Sequence, residues 1–110
     1  MVFQEEMCWI DAEALRLTGL RSITRRLRGE PPGPEGSVLK LAFTEAYVGM
    51  AEAAAALLGL RGQLWRGAAR APSSGRWAFQ TLFARRFAIA GGTSEIQRNI
   101  IGERVLGLPR

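Results

Sequence analysis

Residues Gly91–Glu95, with the sequence Gly-Gly-Thr-Ser-Glu, are the part of the chain best suited to binding a ligand. Two glycines leave the backbone open to close approach, and the free amides at the start of a following helix favour phosphate or another electron-rich group. The same residues also fit a helix start without a ligand, in which Thr93 and Ser94 offer capping hydroxyls and Ser94 forms a capping box with Gln97. The pattern predicts a helix start here and leaves both roles open.

Most nucleophilic and metal-dependent chemistry lacks the residues it needs. The chain contains no histidine, and Cys8 is its only cysteine. This composition excludes an internal disulfide, the usual zinc sites, Ser-His-Asp triads and Cys-His pairs. We therefore expect no metal site.

The elements that position the Gly91–Glu95 turn are predicted to be helices, the first from Phe3 to about Arg28. Its apolar residues recur in steps of three and four, which aligns them on one face. At 1.5 Å per residue such a helix is on the order of 40 Å long, more than a compact chain of this size needs, which favours a bundle or an oligomer interface. This apolar stripe consists of Phe3, Met7, Ile10, Ala14, Leu17, Leu20, Thr24 and Leu27.

A second helix is predicted after a connection rich in proline and glycine at residues 29–36. Ser37 is expected to cap this helix, which runs to Leu58, and Gly59 is expected to end it in a left-handed conformation. Residues 59–74 are predicted to be a loop, because they show no sustained period and contain several turn-forming residues.

Two shorter helices complete the prediction. One spans about 75–89, with Trp77, Leu82 and Phe83 buried, and the other starts in the Gly91–Glu95 turn and ends before Gly107. No strand is predicted. We expect residues 1–110 to form a single all-α domain, an up-and-down bundle of about four helices.

The net charge of +5 could mark a surface for phosphates, nucleic acid or acidic lipid. The tightest group of arginines is Arg21, Arg25, Arg26 and Arg28, at the end of the first helix, where cations offset the helix dipole. Basic and aromatic residues do not alternate as they do in many proteins that bind single strands, and we expect no nucleic-acid partner.

A membrane or secretory location is not predicted. No apolar run reaches the roughly 18–20 residues of a membrane helix, and the acidic residues Glu5, Glu6, Asp11 and Glu13 do not fit a secretion signal. We expect a cytoplasmic protein.

The last twenty residues, GGTSEIQRNIIGERVLGLPR (Gly91–Arg110), resemble the closing signature of the acyl-CoA dehydrogenase family. Upstream, SVLKLAF (Ser37–Phe43) is similar to the family's small-x-x-Lys-x-x-Phe helix, and Trp9–Leu17 resembles the Glu-Ala-x-Arg stretch before it. GRW (Gly75–Trp77) and FARRFAIAGGT (Phe83–Thr93) are similar to the segments that precede the signature. The resemblance covers nearly the whole chain and implies the fold of the family's C-terminal helical domain.

This resemblance implies a partial enzyme. Family members bind FAD between a helical N-terminal domain, a middle β-domain and a C-terminal bundle, and oxidise the bond between the α and β carbons of an acyl-CoA. Thr93 and Glu95 fall where the family contacts FAD, which is often shared across a subunit interface. Gly59 and Gly62 are what remains here of a second, glycine-rich FAD-binding turn.

A catalytic base is missing from this chain by the same comparison. Many members carry the catalytic glutamate immediately before Gly-Thr or one residue earlier, and Gly91 and Ala90 occupy those places. Neither side chain accepts a proton, so no catalytic residue is assigned.

The resulting hypothesis is the C-terminal part of an FAD-dependent acyl-CoA dehydrogenase, inactive by itself and associated with copies of itself or with a larger dehydrogenase subunit. The alternative is a helical oligomerisation or partner-subunit module that has lost flavin chemistry. A basic nucleic-acid binder is a third and weaker hypothesis, which predicts an affinity that falls steeply with salt.

Overall fold

The computed structural model describes residues 2–109, with side chains described from residue 6 onward. Within those residues the chain forms four α-helices: α1 (Val2–Leu27), α2 (Glu35–Leu57), α3 (Arg76–Phe83) and α4 (Ser94–Arg104). Short 3-10 turns lie at Gly59–Gln63, Pro72–Gly75 and Ala84–Ala88. The predicted all-α architecture is confirmed, and the side chain of Phe3 lies outside the described residues.

Helix α2 is the centre of the fold, and the chain reverses direction at each connection. Residues from the middle of α1 lie beside the first half of α2, α3 runs back along α2, and α4 returns beside the start of α2. In the described residues α1 packs mainly on α2 and has no substantial packing against α3 or α4. The other helices therefore each pack on α2, and they do not form a shared hydrophobic core with one another.

The connection between α1 and α2 is closed by one arginine. Arg25 Nε donates to Glu30 Oε2 at 2.6 Å, and the same guanidinium pairs with Glu35 in the first turn of α2. Gly29 adopts a φ of +74°, a conformation that ends the helical path at the end of α1. The two long helices are thereby held antiparallel.

The predicted cap of α2 is wrong. The helix begins at Glu35 with Pro34 preceding it, so Ser37 lies inside the first turn and its backbone amide donates to Pro34 O at 3.0 Å. Proline suits this place because its φ is already near the helical value and its missing amide is not needed there, while Glu35 complements the helix dipole. The expected left-handed Gly59 is confirmed by its φ of +56°.

An aromatic cluster joins α2 to α3 and the turn after it. Phe87 meets Phe43, Tyr47 and Phe83 edge to face, with ring centroids 5.2–5.8 Å apart. Behind this cluster, the buried Thr44 hydroxyl hydrogen-bonds Lys40 O at 2.8 Å and Phe87 O at 3.2 Å. These contacts join α2 to the end of α3 through both side chains and backbone.

The predicted third helix changes character along its length. Its α-helical part ends at Phe83, and a 3-10 turn continues to Ala88. The prediction that Leu82 is buried is wrong, because its side chain is 66% exposed, whereas Trp77 and Phe83 are half-buried. Leu82 lies on the side of α3 that no other described element covers.

The hydrophobic core is small for a chain of this length. Among the described residues, only Ala51 and Ala84 are fully buried apolar residues. The radius of gyration is 17.1 Å, against about 13 Å for a compact domain of this length. The molecule measures 52 × 28 × 25 Å, so it is elongated and much of its apolar surface faces solvent.

Among the described residues, no helix is long and apolar enough to cross a membrane.

Candidate functional site at the start of α4

The two glycines before α4 bend the chain sharply at the protein surface. Gly91 has a φ of +71° and Gly92 a φ of +98°, values that residues with a side chain rarely adopt. A methyl group on Gly92 would lie 2.6 Å from Gln97 Nε2, whereas one on Gly91 would meet nothing closer than Lys40 Cε at 4.0 Å. A side chain at Gly92 would therefore displace the Gln97 amide, whereas Gly91 leaves open space above the backbone.

Thr93 is the residue that caps α4. Its hydroxyl accepts a hydrogen bond from the Ile96 amide at 3.3 Å, and its backbone is extended, as expected for a cap. The predicted capping box between Ser94 and Gln97 is wrong, because the helix starts one residue earlier than that pairing requires. Gln97 is buried and its Nε2 donates to Gly91 O at 3.0 Å, which holds the turn from inside.

Lys40 fixes the same turn to the centre of the fold. Its Nζ donates to Gly92 O at 2.6 Å across 52 residues of sequence. One turn further along, Arg98 pairs with Glu45, which joins α4 to α2 a second time. Sequence reasoning gave Gln97 only as a capping partner of Ser94 and did not assign Lys40 to the site, although Lys40 is the lysine of the Ser37–Phe43 motif and the only lysine in the chain.

Glu95 is exposed, and its carboxylate is held by neighbouring donors. Its own backbone amide, the Thr93 hydroxyl and, more weakly, the charge of Arg98 lower the pKa of Glu95 below its ordinary value. A carboxylate with a lowered pKa is a weaker base, so Glu95 is poorly suited to removing a proton from carbon. Its position complements the helix dipole and the amides of the first turn.

Glu95→Gln is expected to lower the stability of the folded chain near neutral pH and to have less effect in acid. Because the pKa of Glu95 is lowered by folding, its ionised form stabilises the fold above the ordinary pKa, and this is lost as the pH falls through the folded value. Thermal unfolding of both proteins, monitored by circular dichroism near neutral pH and well below the carboxylate range, measures the difference. An equal loss of Tm at both pH values would contradict this assignment.

The predicted residues do not form one cluster. Thr93 and Glu95 share the turn before α4, beside Lys40, near the start of α2, whereas Gly59 and Gly62 follow the end of α2. At 1.5 Å per residue, the stretch of α2 from Lys40 to its end separates them by roughly 27 Å. The structure therefore presents two separate turns.

Gly62 has a packing role in the second turn. It is buried, and a methyl group there would lie 2.7 Å from Ala55 O and 2.9 Å from Leu58 Cβ. Gly59 is exposed, with open space at its missing side chain. The cofactor contacts of Gly59 and Gly62 stay predictions.

The two positions at which the family resemblance implies a catalytic base lie at the protein surface. Both Ala90 and Gly91 are exposed, and neither has a group that accepts a proton. Neither of these two positions therefore supplies an acid or a base.

Comparisons with known proteins all point to one family. A family model described as "Acyl-CoA dehydrogenase, C-terminal domain" matches residues 6–106. A protein of Mycolicibacterium smegmatis named acyl-CoA dehydrogenase IpdE1 is 35% identical over 102 residues, which cover 93% of this chain and 24% of that protein. The protein of the same name in Mycobacterium tuberculosis is 35% identical over 99 residues, which cover 84% of this chain and 25% of that protein.

The chain thus spans about a quarter of the length of the curated relatives that it matches. No solved structure gave a significant match.

Proposed function

The chain belongs to the acyl-CoA dehydrogenase family through its C-terminal domain, and from this we propose that it is the C-terminal helical part of an FAD-dependent enzyme that oxidises acyl-CoA thioesters. The observation that carries the proposal is the turn at the positive end of α4, in which Gly91 is exposed and Thr93 is half-buried. Lys40 and Gln97 hold the turn through its backbone carbonyls, and Gly91 stays exposed to solvent.

The residues of the turn fit an electron-rich part of FAD. Gly91 has no side chain to obstruct approach, and the start of α4 favours negative charge. The Thr93 hydroxyl accepts a hydrogen bond from the Ile96 amide, and it also helps to lower the pKa of Glu95, so a flavin contact at this hydroxyl competes with the Glu95 carboxylate. Because Glu95 is exposed, its side chain can move aside without meeting a packed neighbour.

FAD, when bound, accepts the hydride that leaves the β carbon of the acyl group. The residues of this chain would hold and orient it: Thr93 through its hydroxyl, and Lys40 by keeping the turn in place. The α-proton needs a positioned carboxylate in a site that excludes water. Ala90 and Gly91 cannot take that proton, and Glu95 is exposed and a weakened base, so we expect no turnover of acyl-CoA by the chain alone.

Weak FAD binding at this turn is expected and can be measured by NMR. Titration of FAD into labelled protein should shift the amide signals of residues 91–95 first. Gly91→Ala should reduce the apparent affinity several-fold, because its methyl group occupies the open space above the turn. Gly107→Ala is the matched control, since Gly107 has a similar φ of +67°, has open space at its missing side chain and lies beyond the other end of α4.

Two outcomes would contradict the flavin assignment. One is an absence of shifts in residues 91–95 at high FAD concentration, and the other is an equal loss of affinity in Gly91→Ala and Gly107→Ala. A tightly bound, stoichiometric flavin after purification would show instead that the chain holds FAD without the rest of an enzyme.

A non-catalytic oligomerisation or partner-subunit module is the second candidate. It is favoured by the surface of α1, where large apolar side chains face solvent, together with the absence of a base at Ala90 and Gly91. Self-association without any response of the α4 turn to FAD would support this candidate over the first.

A further inference from the structure

We propose that residues 57–76, the segment from the end of α2 to the start of α3, dock this chain on the surface of a membrane that contains anionic lipids. This basic segment lies on the headgroups, with its arginines against lipid phosphates and its exposed apolar side chains among the upper parts of the acyl chains. The contact is with one face of the bilayer and requires no spanning helix. Because the segment does not include the turn before α4, the proposal is independent of flavin binding.

The basic segment carries most of the excess positive charge of the chain. Residues 53–94 contain six arginines and no acidic residue, whereas the net charge of the whole chain is +5. In the rest of the chain, acids and cations are therefore nearly equal in number. An anionic surface is attracted first to the part of the molecule where cations are not balanced by acids. The four arginines of the basic segment are Arg61, Arg66, Arg70 and Arg76.

These four arginines are available to bind phosphate. All four are exposed, and none of them makes an ion pair with a described residue. The guanidinium carbon of Arg66 lies 3.8 Å from the centroid of the Phe79 ring. That of Arg76 lies 5.6 Å from the centroid of the Trp77 ring. A guanidinium that stacks on a ring keeps its N–H groups at the edge, where they can bind two oxygens of a phosphate.

Large apolar side chains are exposed among these arginines. Leu60 is 85% exposed, the highest value for a large apolar side chain in the described part of the chain, and Leu57 is 45% exposed. Trp65 is 48% exposed, and its ring centroid lies 6.0 Å from that of Phe79, so it is anchored to α3 and still partly open to solvent. Tryptophan is enriched where membranes meet water, because its ring is apolar and its N–H is polar.

The basic segment is ordered, although little of it is α-helix. The Ala68 amide donates to Trp65 O at 3.1 Å, and the Ala71 amide donates to Ala68 O at 3.0 Å. A methyl group on Gly75 would lie 2.4 Å from Arg66 N, so the middle of the segment packs directly on its end. The two 3-10 turns of the segment also contact each other. Docking therefore does not first have to order a flexible loop.

The combination of leucines and arginines favours lipid over other anions. Nucleic acid would satisfy the arginines, but it offers no apolar phase to Leu57 and Leu60. An acidic protein would need an apolar pocket fitted to Leu60 beside its acids. A bilayer offers phosphates at its surface and acyl chains directly below them. Binding to membranes grows with the buried apolar area and the attraction to anionic lipids together.

Co-sedimentation with lipid vesicles tests the docking. The chain should bind vesicles of equal parts phosphatidylglycerol and phosphatidylcholine roughly 100-fold more strongly than vesicles of phosphatidylcholine alone. Added salt should weaken the binding, because ions screen the charge of the headgroups. Equal binding to both kinds of vesicle, or binding to neither, would overturn the proposal. So would full displacement from the anionic vesicles by a short DNA duplex at an equal concentration of phosphate.

Substitution of two arginines tests the place of docking. Arg61→Gln combined with Arg70→Gln should lower partitioning onto the anionic vesicles about 25-fold, since each arginine near an anionic surface contributes about fivefold. Arg21→Gln combined with Arg28→Gln is the matched control, because it removes the same charge from exposed side chains at the end of α1, beside the start of α2. The control should leave partitioning nearly unchanged. Equal losses in the two double variants would show that only net charge matters, which contradicts docking through the basic segment.

An apolar substitution separates lipid from other sources of phosphate. Leu60→Gln should lower partitioning onto the anionic vesicles about 10-fold, because a side chain that enters the acyl region becomes polar. Leu82→Gln is the matched control, since Leu82 is an exposed leucine outside the basic segment. Both side chains are exposed, so both variants should keep the circular dichroism of the wild-type chain. If Leu60→Gln has no effect, only phosphate is recognised and the membrane assignment is wrong.

Tryptophan fluorescence tests which part of the chain enters the bilayer. Emission should shift to shorter wavelength on the anionic vesicles and be quenched by brominated phosphatidylcholine, because Trp65 enters the interface. Trp65→Phe should abolish this response, whereas Trp9→Phe, which removes an exposed ring from α1, should keep it. The opposite pattern would place another surface against lipid and overturn the proposal. FAD-induced shifts at residues 91–95 should be unchanged in the variant that lacks Arg61 and Arg70, so lipid docking and the flavin site can fail separately.

Discussion

Gly75→Ala is expected to destabilise the chain by roughly 2–5 kcal/mol, a large part of the stability of a small domain. Gly75 has a φ of +74°, and a methyl group there would lie 2.4 Å from Arg66 N and 2.6 Å from Trp65 C. These are backbone atoms, so neither the loop nor the start of α3 can keep its place. Urea unfolding followed by tryptophan fluorescence measures the loss.

Gly67→Ala separates the two causes of the Gly75→Ala effect, which are the clash with backbone atoms and the strain of a positive φ. Gly67 belongs to the same loop and has a φ of +91°, but a methyl group there would meet no atom within 4 Å. The free energy of unfolding of Gly67→Ala should therefore fall by only roughly 1–2 kcal/mol, the cost of a strained backbone. Equal losses in the two variants would show that the crossing of the loop over Gly75 is not a tight contact.

Lys40→Met is expected to loosen the turn before α4 and to cost roughly 1–2 kcal/mol. Hydrogen bonds from charged groups are worth somewhat more than neutral ones, and Lys40 is partly buried where it donates to Gly92 O. Amide hydrogen exchange should rise at residues 91–97, and the FAD-induced shifts of the turn should shrink. Protection elsewhere in α2 and α3 should change little.

Arg98→Met is the control for Lys40→Met, because Arg98 also joins α4 to α2 through its pair with Glu45. That pair is exposed, with 55% of the Arg98 side chain accessible, and exposed pairs contribute about 0–1 kcal/mol. Faster exchange in Arg98→Met than in Lys40→Met would contradict the role given to Lys40.

Local signals predicted the helices well. The helical class of α1 and the left-handed Gly59 depend on neighbours within a few residues, and both are found in the structure. The errors also have local causes. Ser37 and Ser94 are good capping residues, but Pro34 and Thr93 stand earlier in the chain and start α2 and α4 first.

Side-chain burial was harder to predict than the helices. An amphipathic pattern shows which face is apolar, but it does not tell whether the covering partner belongs to the same chain. The stripe of α1 is regular in sequence, yet only part of it, such as Met7 and Ala14, lines clefts with α2, and Leu17 is exposed. Leu82 was predicted to be buried, but it is exposed on α3.

The amino-acid sequence by itself determined the helical class, the turn at Gly91 and Gly92, and the family resemblance of the last twenty residues, because capping, backbone freedom and periodicity act over a few neighbouring residues. Only the tertiary structure decided that Lys40 and Gln97 hold this turn, that Gly59 lies at the far end of α2, and that Leu17 in the stripe of α1 is exposed. These facts depend on contacts between distant residues, such as the 52 positions between Lys40 and Gly92, which no local pattern specifies.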